Sequence, residues 1–303
     1  MWLELQIFGF RALWSPYFLL FLVGLALVYY LVTGPYRERF GGDTRPTVNQ
    51  QFSFYLSLVL IYITKGSPVD LLSHIMLLTH MIQMAVFIIF VPILIIKGLP
   101  IWIWKKVYEA KVIGNIVRFL TRPIISMLFF NGLFSIYHIP IVFNFSKSTP
   151  IAHTLIHLVL FFAAFIMWLP LLNPVKKYDQ LKPLLKIGYI FANSVLITPA
   201  CALIIFASSP LYAAYTSEGA WLTALSLCVP TDVLNGISST LSGPEMFSPL
   251  STILDQQFGG IIMKVIQEIV YGSVLVSILS NWFKSEGTKI DPLPSNETTI
   301  ETH

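Results

Sequence analysis

The sequence contains few charged residues. Asp, Glu, Lys and Arg make up 11% of its 303 residues, whereas hydrophobic residues make up 55%. Soluble domains carry about 25% charged residues, and the mean hydropathy of this chain is +0.74. Apolar runs such as Tyr17–Val32 approach the ~20 residues that a helix needs to cross a bilayer. The composition therefore predicts an all-α, polytopic membrane protein, and the short basic clusters between apolar runs argue against a nucleic-acid partner.

Cysteine is also scarce, since the chain has two, Cys201 and Cys228. They form no C-x-C or C-x-x-C pair, which excludes a disulfide framework and a thiolate metal site of the usual spacing. Without a C-x-x-C-H motif, covalent c-type haem is excluded as well. The sequence shows no catalytic carboxylate pair, Ser/His/Asp set or phosphate loop, so we expect a protein that is not an enzyme. No small-residue cleavage site follows the first apolar run, so a cleaved signal peptide is not expected.

Apolar windows separated by proline, glycine and charged residues predict about seven transmembrane helices. The predicted spans are Tyr17–Thr33, Gln51–Thr64, Leu71–Ile96, Pro123–Phe143, Ile151–Leu172, Leu184–Ser208 and Gln256–Phe283. They form one domain, 1–283, in which residues 209–255 are predicted to be an extracytoplasmic loop with an interfacial helix. Residues 284–303 are predicted to be a disordered cytoplasmic tail.

The basic residues predict the orientation of the chain. Clusters such as Lys105–Lys106 and Lys176–Lys177 fall in alternate connections, and the opposite connections hold Arg11, Lys65 and Lys147. Cytoplasmic loops carry an excess of Lys and Arg. We therefore expect the N-terminus outside and the C-terminus in the cytoplasm.

Five of the six histidines fall within predicted spans. His74 and His80 lie on the third span, His138 on the fourth, and His153 and His157 on the fifth. With the predicted orientation, and about 1.5 Å of rise per residue, all five lie in the outer half of the membrane. The topology thus predicts that three consecutive helices bring imidazoles to a similar depth.

Methionines accompany these histidines. Met76, His80 and Met84 are spaced i, i+4, i+8 and predict one stripe on the third span, and His153 and His157 are also one turn apart. Imidazole binds Zn, Cu, Fe and Ni, whereas thioethers favour Cu(I). Carboxylates are almost absent from the outer halves of these spans, so the sequence favours a Cu(I) site. The predicted metal ligands are His80, Met84, His138, His153 and His157, with His74 and Met76 as additional candidates.

The last span contains further polar residues. Asp255 and Gln256 either cap the start of this span or hydrogen-bond a ligand histidine and orient it. Lys264 and Glu268 form an i, i+4 pair of opposite charge. Such charges inside a membrane indicate either a functional site or mutual neutralisation facing the bundle interior.

Several motifs occur in the order found in a known family. They are HMIQM (His80–Met84), FVPILIIKGLP (Phe90–Pro100), YHIP (Tyr137–Pro140), HTLIH (His153–His157) and DQQFGGIIM (Asp255–Met263). In these the chain resembles the multi-pass CtaG family, whose members are assembly factors of caa(3)-type cytochrome c oxidase. The resemblance runs from the third span to the seventh, and the chain departs from the pattern at Met84, where many members have histidine.

The resemblance implies a factor of bacterial-type plasma membranes that helps to form active oxidase by delivering copper on the outer side. Its implied site residues are His80, His138, His153 and His157, with Asp255 and Gln256 from the last-span motif. Its implied partners are the oxidase subunits; an extracytoplasmic copper chaperone and a second copy of the chain are further candidate partners.

Two other functions remain open from the sequence. A haem b electron-transfer protein would ligate iron with histidines on facing helices, such as His80 with His157 or His138. A metal or proton transporter would need polar groups through the inner half of the membrane, for which the chain offers Asn131, Asn193 and Lys264.

Overall fold

The computed structural model describes residues 2–237, 241 and 243–287, and these residues form helices and no strand. Five helical segments are long and apolar enough to cross a membrane, and the number rises to seven if each of two bent helix pairs counts as one span. The all-α fold and the predicted number of spans are thereby confirmed. The orientation of the termini stays a prediction from the charge pattern.

The helices of membrane-spanning character account for most of the chain. They are α3 (Pro16–Thr33), α4 (Val48–Lys65), α6 (Leu77–Met84) continued through a π-helical segment (Ala85–Phe90) into α7 (Val91–Gly98), α10 (Pro123–Tyr137), α12 (Pro150–Leu172), α13 (Pro183–Ile205) and α16 (Thr252–Gly287). The shorter helices are α1 (Trp2–Leu5), α2 (Gly9–Leu13), α5 (Pro68–Ile75), α8 (Ile101–Glu109), α9 (Ile113–Leu120), α11 (Pro140–Ser146), α14 (Glu218–Leu225) and α15 (Thr231–Ile237).

Local sequence explains where many helices begin. Proline occupies the first position of α3, α5, α10, α11, α12 and α13, where its missing N–H is not needed and its φ angle suits a helix. Thr47 and Gln50 form a capping box at the start of α4.

The predicted start of the third span is wrong. The span was expected to begin at Leu71, but the chain is extended at Met76, with φ −125° and ψ 133°, and the continuous span begins at Leu77. The preceding residues form α5, which is bent by 44° from α4. The break has a local cause, because Gly66 ends α4 and Ser67 and Pro68 start a new helix. His74 therefore lies on α5 and not on the third span.

The fourth span also ends earlier than predicted. It stops at Tyr137 rather than Phe143, and α11 begins at Pro140. The residue before a proline disfavours the α region, which explains why the helix cannot continue through Ile139. At its other end, α10 is bent by 81° from α9.

The predicted loop 209–255 packs onto the protein. It contains α14 and α15, and the side chains of Trp221 and Leu225 are fully buried in a cluster with Leu71 of α5 and Phe8 near the N-terminus. This cluster covers the end of the bundle at which α6 and α16 begin.

The last helix, α16, continues to Gly287, past the predicted boundary at residue 283. The rest of the predicted tail, 288–303, lies outside the described residues.

Candidate metal-binding site

Four histidine rings form a row at one end of the bundle. His74 of α5 lies 5.2 Å from His153 of α12 between ring centroids, His153 lies 4.1 Å from His157, and His157 lies 6.0 Å from His80 of α6. Thr149 caps the start of α12 by accepting from Ala152 N, so this helix presents His153 and His157 in its first turns. Three separate elements thus converge, α5, α6 and α12, so that the predicted third and fifth spans contribute and α5 takes the place of the predicted fourth span.

The hydroxyl of Tyr137 lies between the two innermost imidazoles. Tyr137 Oη is 3.1 Å from His80 Nε2 and 3.2 Å from His157 Nε2, and Lys65 Nζ is 3.0 Å from His157 Nδ1. An ammonium group has only donors, so Lys65 donates to Nδ1 and leaves the proton of His157 on Nε2. That proton is donated to Tyr137, whose own hydroxyl is donated to His80. The chain of bonds uses one nitrogen of His80 and both nitrogens of His157.

Lys65 belongs to a partly buried ion pair. Its Nζ lies 3.8 Å from Asp70 Oδ1, and the two side chains are 16% and 21% exposed. Gln83 Nε2 donates to the same carboxylate oxygen at 2.7 Å and to Thr64 O. The bend between α4 and α5 is therefore tied to α6, because residues of all three helices share these bonds.

His74 and His153 keep nitrogens without partners. His74 Nδ1 lies 2.8 Å from Asp70 O, so it carries the proton and donates it to this carbonyl. The lone pair of His74 is then on Nε2, a buried atom for which the described residues supply no hydrogen-bond partner. His153 has a backbone hydrogen bond to Ser146, and its buried Nδ1 likewise has no partner in the described part of the chain. Two neighbouring rings thus offer nitrogens that no group in the described part of the chain uses, and His80 Nδ1 is likewise without a partner there.

His138 lies apart from the row, at the end of α10. Its Nδ1 donates to Phe134 O at 2.7 Å, and its ring packs on those of Phe134 and Tyr137. Tyr212 donates to His138 O at 2.9 Å and fixes the backbone there. Its Nε2 is buried and also lacks a partner among the residues described.

The methionines do not form the predicted stripe. Met76 is the extended residue at the break before α6, and its side chain packs against the cluster around Trp221. Met84 is fully buried in the main hydrophobic core with Leu77 and Met81. The expected stripe loses Met76 because it assumed an unbroken helix, whereas His80 and Met84 remain one turn apart on α6.

Lys147 adds a second cation near the histidines. It lies between α11 and α12, is 2% exposed, and has no hydrogen-bond partner for Nζ within the described residues. The amine sits 5.9 Å from the ring of Phe143 and 5.8 Å from that of Tyr215. Burial, and then the charge of Lys65, lower the pKa of Lys147 to about 7.

Asp255 and Gln256 bind backbone groups. Asp255 Oδ2 accepts from Leu77 N at 2.7 Å and from Leu78 N at 3.4 Å, so it caps α6 and not its own helix. Gln256 accepts from Leu211 N and donates to Ile204 O. Neither has a recorded bond to a histidine in the described residues. Asp255 nevertheless fixes the start of the helix that carries His80.

The donor chemistry suits a soft metal more than a hard one. Buried, unpartnered imidazole nitrogens are ligands for Cu or Zn. Within the described residues, no three His, Cys, Asp or Glu side chains are arranged to hold an ion. The arrangement therefore offers a pair of imidazoles, His74 and His153, and Cu(I) accepts such low coordination numbers.

Sequence reasoning missed several groups of this site. Lys65, Asp70 and Gln83 were not singled out as site residues, and Lys147 was counted only for orientation. The sequence could have indicated Lys65 and Asp70, because charged residues are rare in this chain and these two flank the turn GSPV. Tyr137 is adjacent to His138, but only the fold turns its hydroxyl towards His80 and His157.

Comparison with known families adds an independent finding. A family model described as cytochrome c oxidase caa3 assembly factor (Caa3_CtaG) matches residues 27–285. No curated protein and no solved structure matches the chain significantly. The matched region contains every histidine of the row and the whole of the Asp255–Met263 motif.

Proposed function

This chain belongs to the family of cytochrome c oxidase caa3 assembly factors, and we propose that it binds Cu(I) at the histidine end of the bundle and passes it to the oxidase. Family membership gives the oxidase as partner and oxidase assembly as the process. Copper as the cargo, the ligands and the bacterial-type plasma membrane are the proposal. The role is that of a carrier, and no bond in a substrate needs to be made or broken.

The observation that carries this proposal is the pair of buried imidazole nitrogens without partners, His74 Nε2 and His153 Nδ1, on rings 5.2 Å apart. A buried polar atom without a partner costs about 1–3 kcal/mol, and a metal ion would remove that cost. His74 and His153 are therefore the proposed first ligands. His157 and His80 lie next in the row, and Tyr137 and Lys65 must release them before they can take the ion.

The charges around the row favour a monovalent ion. Lys65 and Lys147 lie at this end of the bundle, with Asp70 as the carboxylate paired to Lys65. Coulomb repulsion from a neighbouring cation doubles for a divalent ion. Cu(I) is thus a better fit than Zn(II) or Cu(II), and repulsion by the lysines would also ease its release to a partner.

The two alternative functions receive less support. The space between His80 and His157 holds the Tyr137 hydroxyl, whereas a bis-histidine haem would need its iron there. For a transporter, the inner polar groups should be free to pass an ion. Asn131 instead donates to Asn193 Oδ1 at 2.8 Å in a buried pair, which is a structural contact between helices.

The test is anaerobic Cu(I) loading followed by metal analysis. The full-length chain is purified in detergent through an affinity tag that contains no histidine. We expect near-stoichiometric copper in the unaltered protein, and its loss in His74→Ala and in His153→Ala. His303→Ala is the control, since this residue lies far along the sequence from the row, and it should keep its copper. Size-exclusion profiles and circular dichroism verify that each variant is folded.

Other outcomes would contradict the proposal in different ways. If both variants retained copper but His80→Ala and His157→Ala lost it, the metal site would lie at His80 and His157 instead. A Soret band in the purified protein would favour haem. No copper in any variant after loading would leave the assembly role without a metal.

A further inference from the structure

The polar network around Lys264 and Glu268 lies on the side of the bundle that would face lipid, and not in the bundle interior. Lys264 Nζ is 2.7 Å from Glu268 Oε1, 2.9 Å from Gln267 Oε1 and 3.0 Å from Thr198 Oγ1. Ser194 donates to Glu268 Oε1 at 2.6 Å. The network therefore joins α13 to α16, but the side chains of Lys264 and Glu268 remain 25% and 51% exposed.

The position along the helix places this network in the hydrocarbon region. Glu268 follows Asp255, which caps α6 at the histidine end, by roughly 20 Å of helix rise, and a bilayer core is ~30 Å thick. The residues beside it on the exposed face are apolar, with Val265 47% and Ile269 63% exposed. A half-exposed carboxylate is thus surrounded by a surface that otherwise suits lipid.

Such a carboxylate is unusual in lipid. Ionisable side chains within transmembrane segments are costly, and they nearly always face the bundle interior or a water-filled cavity. The partners of Lys264 and of Glu268 come from α13 and α16, and those of Glu268 leave half of its side chain uncovered. A carboxylate accepts hydrogen bonds, so a group that complements the uncovered part of Glu268 would be a hydrogen-bond donor.

The same face of α16 permits a close helix contact. Gly272 lies one turn beyond Glu268, and a Cβ atom placed there would meet nothing within 4 Å. Ser273 is exposed beside it. Small residues allow helices in membranes to approach closely, and polar side chains then bond across the contact.

We propose that the exposed face of α13 and α16 centred on Glu268 is the docking surface for a transmembrane helix of the client oxidase. The docking helix presents a donor side chain to Glu268 at the same depth and packs against Gly272. The inference rests on the assembly role and is independent of copper. It assigns the ion pair to partner recognition, away from the histidine row.

The test is photo-crosslinking in membranes that contain tagged oxidase subunits. A photoreactive residue replaces Val265 or Ile269 in the full-length chain, and Phe162, which is 60% exposed on α12, is the control position. We expect crosslinks to a tagged oxidase membrane subunit from positions 265 and 269, at least several-fold above those from position 162.

Variants then test the carboxylate. Removing one charge would strand the other, so the double variant Lys264→Met with Glu268→Met replaces both by apolar side chains of similar size. We expect it to fold and to load metal as the unaltered chain does, but to lose the crosslinks several-fold. Glu38→Gln, which breaks the 2.8 Å ion pair with Arg37 just beyond the end of α3 and away from α13 and α16, is the matched control and should keep them.

Three results would overturn the docking proposal. They are crosslinks that persist in the double variant, crosslinks mainly to a second copy of the chain, and equal crosslinking from position 162. Metal loading is measured on the same samples, so a failure of the copper proposal is seen separately. Crosslinks formed by a protein that binds no copper would support the docking proposal and contradict only the copper proposal.

Discussion

At the scale of single residues, Tyr137 decides which histidine nitrogens are available. Its hydroxyl accepts from His157 and donates to His80, and both rings are thereby held in one tautomer. Lys65 closes the other side of His157. Both nitrogens of His157 and the Nε2 of His80 are therefore occupied by protein groups, whereas His80 Nδ1, His74 Nε2 and His153 Nδ1 have no partner among the described residues.

Replacing Tyr137 with phenylalanine removes this hydroxyl and leaves two buried nitrogens without a partner. We expect the free energy of unfolding to fall by about 1–3 kcal/mol, measured by thermal or denaturant unfolding in detergent. Tyr271→Phe is the matched control, because the Tyr271 hydroxyl is buried and has no hydrogen-bond partner among the described residues. It should be neutral or slightly stabilising, and an equal loss in both variants would contradict this role of Tyr137.

At the scale of secondary structure, the first turns of α16 hold three helices together. Asp255 caps α6, Gln256 and Gln257 bind carbonyls at the end of α13, and Gly259 and Gly260 follow. A Cβ at Gly259 would lie 3.1 Å from the Cα of Leu78, and one at Gly260 would lie 2.8 Å from the side chain of Ile205. The DQQFGG motif is thus a set of contacts by which α16 positions α6 and α13.

Gly259→Ala should therefore destabilise the protein although alanine favours helices. The gain in helix propensity is about 1 kcal/mol, but the new methyl group meets backbone atoms of α6, and overpacking costs about 1–3 kcal/mol. Gly132→Ala on α10 is the control, since nothing lies within 4 Å of its added Cβ, and it should stabilise slightly. Unfolding midpoints compare the two, and a Gly259→Ala protein as stable as the Gly132→Ala protein would contradict the close contact.

At the scale of the whole molecule, the histidine row lies at the end of the bundle with few basic residues. The starts of α6, α12 and α16 and the ends of α10 and α13 meet there, while clusters such as Lys105–Lys106 and Lys176–Lys177 lie beyond the opposite ends. The positive-inside rule then orients the row towards the outer face.

Cysteine labelling tests this orientation. In a background of Cys201→Ala and Cys228→Ser, single cysteines replace Ser148, at the histidine end, and Lys177, at the basic end; both positions are exposed. An impermeant maleimide should label position 148 in intact cells and position 177 only after the membrane is opened. The reverse pattern would place the row on the cytoplasmic side and exclude delivery to the outer face.

The sequence by itself determined the membrane class, the number of spans, the family and the end of the bundle at which the histidines gather. The family follows from motifs that the chain shares with it in the same order, and the rest follows from hydropathy, charge and spacing along the chain, which act over one or two helical turns. The tertiary structure decided that His74 belongs to α5, that Met76 leaves the predicted stripe, that Asp255 caps a different helix, and that Lys264 and Glu268 face outward. It also brought Tyr137, Lys65 and Lys147 to the row. These outcomes depend on the helix breaks at Gly66, Met76 and Pro140 and on which helix faces meet across the bundle. They could not be predicted from the sequence, because the hydrophobic period of one helix carries no information about its contacts with distant segments.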